Sequence, residues 1–455
     1  MPILMPKDTR DALGANAEKC ESRSLLLDRF ADPSATKDDR KAVFTRAFGK
    51  RAETGKIASW HAFLRDGLRL KDDGILYAQL QSRLMVNMAG GVMENAGLCL
   101  DRFGLPYIPG SAVKGCARRM AIQELLEARE AGKSSNELAQ LLADIALTFG
   151  WGEQDWSGQV NNGRCVSDFA YAVDRDSWES VSTSARGHLT RTDHFAGSVS
   201  FLPAFPVDLG KPGRVDDLPV ELPPLGKLEL DVVTCHHGKY YSKAKDRSGS
   251  LVMPVALDTE EPVPVVFPAV AAGHVFAFAL LSMRGYPRQL LDQARTWLAN
   301  GLANFGLGAK TAAGYGWFDA SQQFNERVIA KLQAQKQAEA DRIRQAQDVT
   351  LAAEKASAER AERDRKRASL TRDNTWIEKF KAAPEGKRRE TINKFAFDDE
   401  KWWPPQGELA DERIQFSLLH FLLHVEPEFL TADRANPKSK TAKALSGLKR
   451  KFLAA

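Results

Sequence analysis

The sequence predicts an α+β fold of ferredoxin-like type, extended by helices at its C-terminus, and three observations carry that expectation. Apolar and polar residues alternate at 80–88 and again from Lys227 to Cys235, the period of a half-buried strand. Val275 to Leu281 is apolar without a break and is expected to form a central strand. A helix opening at Pro287, a glycine-rich loop and a returning strand at Tyr315 to Asp319 follow, which is half of such a sandwich.

Taken in order, residues 1–70 mix charged and apolar segments and predict an N-terminal arm with one or two helices, ahead of a core over 71–320. In the first alternating stretch Leu80, Ser82, Leu84, Val86 and Met88 share one side, and Gly90-Gly91 ends it. After Pro109-Gly110, Ser111 is a good N-cap for a helix running to about Glu130. Lys114 and Arg118 lie one turn apart near its start, beside an apolar stripe of Val113, Cys116, Ala117 and Met120. Glu137 to Phe149 predicts a further helix. Residues 151–196, rich in Gly, Ser, Asp and Trp, predict an insertion, a long loop around a short strand near Arg164 to Ala172. In the helix after Pro287, Leu290, Ala294, Trp297, Leu298, Gly301 and Phe305 share one face.

Past Ala320 the composition changes. Gln322 to Arg372 holds neither glycine nor proline and almost no apolar stripe, so residues 321–372 predict a charged helical linker. Apolar content returns at Trp376, and 373–455 is expected to be a small basic helical domain.

Hydrophobic content of 43% and charged content of 27% suit a globular chain of two or three domains. No apolar run reaches membrane-spanning length, and the first residues lack a basic segment followed by an apolar one, so a cytoplasmic protein with no membrane partner is expected. The five cysteines, Cys20, Cys99, Cys116, Cys165 and Cys235, form no C-x-x-C pair, which speaks against disulfides and a zinc site. No metal and no cofactor are expected. The net charge of +5 is unevenly spread: residues 321–455 carry 27 Lys and Arg against 21 Asp and Glu, leaving the rest close to neutral. Any nucleic acid bound by the core must therefore meet local patches and backbone amides.

Two places invite a chemical reading. Four glycines fall between Gly306 and Gly316, with Lys310, Thr311 and Tyr315 among them, and a loop of this kind can turn successive amides toward phosphate. It is not a nucleotide P-loop, because Ala309 stands before Lys310 and Asn304 stands where the first glycine belongs; a turn kept for geometry alone is the plain alternative. At the helix start, Gly110, Ser111, Lys114, Gly115, Arg118 and Arg119 make a second candidate phosphate site, or an ordinary solvated face. His236 and His237 cannot both face one point along a strand, and no third metal ligand stands at a usual spacing. With Tyr240 and Tyr241 they suit a structural corner, RNA stacking, or, as a further alternative, general acid–base chemistry.

The stretch Gly104 to Arg119, with Pro106-Tyr107-Ile108-Pro109-Gly110-Ser111 and Lys114-Gly115, resembles the first signature of the RAMP superfamily of CRISPR-associated RNA-binding proteins, and the loop Gly306 to Gly316 resembles its second. Within the superfamily the chain is most similar to the family of sixth subunits of type III-B (Cmr) effectors, over about residues 20–320. The resemblance implies a ferredoxin-like, RNA-recognition-motif-like core and a non-catalytic backbone or cap subunit that grips CRISPR RNA toward its 3′ part. It also implies target RNA, other RAMP backbone subunits, a large signature subunit and small helical subunits as partners. A metal-independent endoribonuclease using His236 or His237, and an adaptor acting through the helical tail, are the alternatives. The two signatures are expected to form one cradle, with Lys114 and Lys310 beside a common groove.

Overall fold

The computed structural model describes residues 7–32, 34, 36–70, 74–93, 97–161, 164–189, 194–215, 218–237, 240, 244–245, 248, 250–252, 255–256, 258–283, 285–369, 372–395, 406–427 and 438–453. The chain forms two compact units, residues 1–336 and 337–455.

Among the described residues the first unit opens with four α-helices, α1 (Lys7–Leu13), α2 (Arg23–Asp28), α3 (Lys37–Phe48) and α4 (Gly55–Ala62). Thr36 and Asp39 close a capping box on α3. Leu26, Leu27, Val43 and Phe44 bury themselves with Met93, and Leu230 and Val266 pack against them. Arg23 is buried and donates to the carbonyls of Gly104 and Gly226. The expected arm of one or two helices is thus a four-helix segment anchored in the core.

Strand β1 (Ile75–Leu80) is buried along its whole length, so it carries no period-two signal. That is why alternation points to 80–88 instead. Residues 81–86 form an extended segment beyond the strand, where only Leu84 makes a ladder bridge, to Val270. Helix α5 (Gly110–Glu130) follows, then α6 (Ser135–Phe149), capped by the Ser134–Glu137 box. The N-cap of α5 is Pro109, with no side-chain cap, rather than Ser111. Gly110 seats the helix start directly on the sheet, where a β-carbon would lie 2.2 Å from the Phe201 carbonyl oxygen.

The insertion is more helical than its composition suggests. A two-residue hairpin, β2 (Val160–Asn161) and β3 (Arg164–Cys165), leads into α7 (Asp168–Val173) and α8 (Arg175–Gly187). Ser167 caps α7 through the amides of Phe169 and Ala170, and Trp178, Val181 and Ala185 bury one face of α8. The strand expected to continue to Ala172 stops at Cys165.

The remaining strands are β4 (Val199–Phe201), β5 (Phe205–Pro206), β6 (Leu228–Cys235), β7 (Ala244–Lys245), β8 (Leu251–Val252), β9 (Val263–Val270) and β10 (Val275–Ser282). Helix α9 (Arg288–Asn304) and β11 (Phe318–Asp319) complete the sheet. Its order is β11-β1-β10-β4 with every neighbouring pair antiparallel, and β5 also pairs with β10. Strands β6 and β9 form a separate antiparallel ribbon, eight residues long in each strand.

Alternate residues of the sheet serve two cores. Leu76, Ala78, Phe276, Phe278 and Phe318 pack with α5, α6 and α9. Ile75, Tyr77, Val275 and Ala277 face Val207, Leu218 and the start of α10 (Gln322–Ser369), where Phe324 and Val328 are buried.

In the second unit, α10 is exposed at every residue from Gln337 to Glu362, as its lack of an apolar stripe requires. Helices α11 (Asn374–Ala382), α12 (Glu385–Asn393), α13 (Glu412–His420) and α14 (Lys440–Leu453) bury Trp376, Phe380, Ile392, Leu418 and Leu448 around one core, joined by Phe421 just past α13.

Candidate nucleic-acid interface

The two glycine-bearing stretches meet. Helices α5 and α9 approach so closely that a β-carbon on Gly301 would lie 2.8 Å from the Cys116 carbonyl oxygen. One turn further, Cys116 Sγ points at the Gly306 carbonyl at 3.7 Å, and the Arg119 guanidinium sits 4.2 Å from the centroid of the Phe305 ring. The start of the glycine loop is therefore pinned against the helix of the first stretch.

Inside the loop most amides have protein partners. Those of Leu307, Ala309 and Gly316 donate to the carbonyls of Gly316, Met85 and Arg83, each at 2.8 Å. Those of Ala313, Gly314 and Tyr315 close a short turn back to Lys310 and Thr311. Gly308 and Gly316 have no space for a side chain, since a β-carbon would come within 2.2 Å of the Met85 carbonyl and 1.9 Å of the Leu307 carbonyl. The glycines thus let the loop fold flat onto residues 83–86 instead of displaying a continuous row of amides. What it presents is Lys310, in left-handed conformation at φ 59°, with Thr311 half-buried and Ala312, Ala313 and Gly314 exposed. The Lys310 ammonium lies 5.7 Å above the Phe267 ring.

Along α5 the candidate residues divide between two flanks. Ser111, Gly115 and Arg119 are exposed and spaced four apart, so they form one strip ending beside Phe305 and the loop. Gly115 has nothing within 4 Å of where a β-carbon would stand. A glycine inside a helix costs about 1 kcal/mol relative to alanine, and no packing contact explains this one. Lys114 and Arg118 belong to the other flank, in a cleft of about 480 Å³ shared with Trp151, Asp155, Asp168 and Phe195. There Lys114 Nζ donates to the Ala196 carbonyl at 3.0 Å, and burial lowers its pKa. Arg118 is clamped between Asp168 at 2.7 Å and Asp155 at 3.0 Å, over the Phe169 ring. The groove expected to join Lys114 to Lys310 is therefore corrected: Lys114 lies against the insertion and Lys310 over the β9 ribbon.

Tyr315 faces inward. Its hydroxyl donates to Asp231 Oδ2 at 2.6 Å, and its ring meets Phe267 edge-on at 5.9 Å. Arg83 joins the same carboxylate at 3.1 Å and Glu229 at 3.0 Å, and Lys227 holds Glu229 from the far side at 3.0 Å. Burial, then the hydrogen bond and charge of Asp231, push the Tyr315 hydroxyl up to about 12. Burial alone would raise Asp231, but the Tyr315 hydroxyl, the Val232 amide and Arg83 outweigh it and hold the carboxyl below its ordinary value. Residues 81–83, Lys227 and Glu229 also line a cleft of about 700 Å³ with Glu221 and Pro223. Arg83 was not singled out in the sequence; the available signal was the polar face of β6, where Glu229 and Asp231 call for a facing cation.

His236 is exposed just past the end of β6, while His237 is half-buried with its Nδ1 sealed from solvent and unbonded. Tyr240 is half-buried, and Tyr241 lies outside the described residues. Among the described residues no three His, Cys, Asp or Glu side chains gather as metal ligands, and no helix is long and apolar enough to cross a membrane.

Residues 86–319 match the model of the RAMP superfamily. Over 240 residues the chain is 30% identical to the CRISPR system Cmr subunit Cmr6 of Pyrococcus furiosus, a match spanning 52% of this chain and 64% of that relative. The crystal structure of Cmr6 from Pyrococcus furiosus aligns at 22% identity and a TM-score of 0.26, covering 54% of this chain and 97% of that one. A chain of a type III-B Cmr-beta complex, solved by cryo-EM bound to cognate target RNA, aligns at 18% identity and a TM-score of 0.34, covering 64% and 77%.

Proposed function

The chain belongs to the RAMP superfamily, and from that premise we propose that it is a non-catalytic CRISPR-RNA-binding backbone or cap subunit of a type III, Cmr-like effector, contacting the guide toward its 3′ part. One observation carries the reading. The exposed strip Ser111–Gly115–Arg119 runs into the glycine loop, and Gly115 leaves helix backbone bare where packing does not require it. A phosphodiester strand can approach there as closely as it could approach a loop, with Arg119 and Lys310 as cations at one end. Such contacts supply affinity without reading sequence, as suits a guide whose information is used in base pairing.

The order β11-β1-β10-β4, with α5 after β1 and α9 after β10, supports reading the core as ferredoxin-like, strand–helix–strand twice over. The identity to Cmr6 supports CRISPR RNA, target RNA and the remaining effector subunits, including other RAMP backbone subunits, as partners. In this reading the packed loop, with Gly308 against the Met85 carbonyl and Gly316 against the Leu307 carbonyl, is the scaffold, and Lys310, Thr311, Ser111 and Arg119 are the contacts.

The test is a Lys310→Glu, Arg119→Glu double variant purified with guide RNA and partner subunits. Guide retention and effector assembly are expected to fall while the thermal melt of the free chain is kept. Normal guide occupancy in that variant overturns the assignment.

A further inference from the structure

Outside both signatures, the surface between α4 and the turn at residues 101–104 brings exposed cations and aromatic rings together. Lys56 Nζ stands 5.3 Å and the Arg102 guanidinium 4.8 Å from the centroid of the Phe103 ring. Both cations are exposed, and among the described residues neither has a carboxylate partner. Two acids stand nearby in sequence, Asp101 beside Arg102 and Glu53 three residues before Lys56. Asp101 Oδ1 accepts from the Phe103 and Leu105 amides, and Glu53 is joined to the turn by its backbone, its amide donating to the Phe103 carbonyl.

One helical turn beyond Lys56, Trp60 begins a row of rings in contact. Its centroid is 5.3 Å from that of Phe205, and Phe205 stacks on Tyr107 at 5.5 Å with 19° between the planes. All three rings are half-buried, and the row ends on the other side at Phe63, 5.6 Å from Trp60 and 48% exposed. Each of the three keeps part of its ring at the surface, while the Trp60 indole nitrogen is sealed from solvent.

We propose that this surface is a second contact for single-stranded RNA, with Lys56 and Arg102 holding phosphate and the row from Trp60 to Tyr107 stacking bases. The inference rests on the guide-binding reading above and extends the RNA track upstream of Gly104, past the start of the first signature. Three physical points favour it. Every base has a π-face, so a ring row binds a single strand without sequence preference, and stacking is worth about 1–3 kcal/mol per base. Cations over a ring keep their charge for a polyanion when no carboxylate claims them. Lysine is depleted at protein interfaces, so Lys56 favours a polyanion, whereas Arg102 and the rings suit either kind of partner.

The experiment uses the full chain and a fluorescein-labelled single-stranded RNA of mixed sequence, with dissociation constants measured over a range of salt. Lys56→Ala with Arg102→Ala is expected to flatten the dependence of log affinity on log salt by about 1.4, two single-strand phosphate contacts at about 0.7 each. Lys56→Arg with Arg102→Lys is expected to restore the slope. Trp60→Leu is expected to weaken binding about fivefold or more at unchanged slope, the loss of one stacked base. An unchanged slope in the alanine variant, with the wild type binding RNA, overturns this inference alone and leaves the guide-binding reading standing. Loss of a protein partner from the alanine variant at unchanged RNA slope overturns it in favour of a protein surface. Failure of the wild-type chain to bind the RNA overturns both.

Discussion

The amide of Tyr77, in the middle of β1, donates to Asn325 Oδ1 at 2.8 Å. A side chain from the first turn of α10 thus satisfies a backbone donor of the central strand, and Phe324 and Val328, 1% and 0% exposed, close the sheet face on either side of it. The long charged helix begins as part of the core and only later becomes a solvated rod.

A truncation series reads this directly. A chain ending at Lys336 keeps Phe324, Asn325 and Val328, and is expected to melt with the cooperativity of the intact first unit and to bind RNA as the full chain does. A chain ending at Ala320 loses all three. Removing a buried Phe costs about 3–5 kcal/mol, and the Tyr77 amide would be left unpaired, so this shorter chain is expected to be unfolded or molten. Chemical denaturation of the two chains separates the outcomes. Equal stability would mean that the helix start is merely laid on the sheet. Loss of partner subunits from the 336 chain at unchanged RNA affinity would assign the second unit an adaptor role.

The glycines of the loop are expected to divide by what stands in front of them. Gly314 faces open space, so Gly314→Ala meets only its positive φ of 90° and is expected to cost about 1–2 kcal/mol. Gly308→Ala and Gly316→Ala would drive a methyl into the Met85 and Leu307 carbonyls, and backbone cannot give way as a side-chain tip can. Both are expected to lose about 3 kcal/mol or more, the upper range for forced overpacking. Melting temperatures of the three alanine variants are the measurement. A tolerant Gly316→Ala would contradict the packed loop.

Much of the sheet was legible because its signals are local. The ribbon strand β6 alternates, β10 is unbroken apolar sequence, and α9 begins after a proline with its inward face spelled out. β1 was missed because both its faces are buried, and β9, in which Pro264 and Pro268 punctuate the run, does not read as a strand until Leu228–Cys235 is laid beside it. The candidate site was legible in composition but not in direction. The sequence places Lys114, Arg118, Ser111 and Arg119 on one helix start; only the packing of the insertion against one flank and of Phe305 against the other decides which of them remain outside. Tyr315 shows the same limit, since nothing local says that its hydroxyl meets a carboxylate 84 residues away.

Lys310 and Arg118 should therefore behave differently. Lys310→Ala is expected to reduce the salt slope of RNA binding by about 0.7 and leave the melt unchanged. Arg118→Ala is expected to leave RNA affinity within about twofold, because its charge is already held by Asp155 and Asp168, and to loosen the insertion instead. The expected cost is about 1 kcal/mol, seen as roughly fivefold faster amide exchange across residues 153–173. A drop in RNA affinity with unchanged exchange for Arg118→Ala would return it to the binding surface.

The Tyr315–Asp231–Arg83 cluster makes stability depend on pH at both ends of the scale. Asp231 and Glu229 are held below their ordinary values of 3.8 and 4.5, so the stability they contribute is complete above those values and is lost as pH falls through the lowered ones. Tyr315 is raised from 10.0 to about 12, so its contribution is complete below pH 10 and is lost as pH rises from 10 toward 12, where the unfolded chain gives up the proton first. Tyr315→Phe removes the alkaline window and one of the bonds that lower Asp231. At neutral pH it is expected to cost about 1 kcal/mol, one hydrogen bond net of solvation. The difference in unfolding free energy between wild type and variant should then be flat from pH 5 to 9, shrink between 10 and 12, and shrink again below about pH 4. Taking the difference cancels the other titrating groups, which both chains share. A difference that stays constant from pH 3 to 12 would mean that the Tyr315 hydroxyl and Asp231 are not coupled in solution, and Tyr315 would then be held to the ribbon by apolar packing against Phe267 of β9 and Val233 of β6.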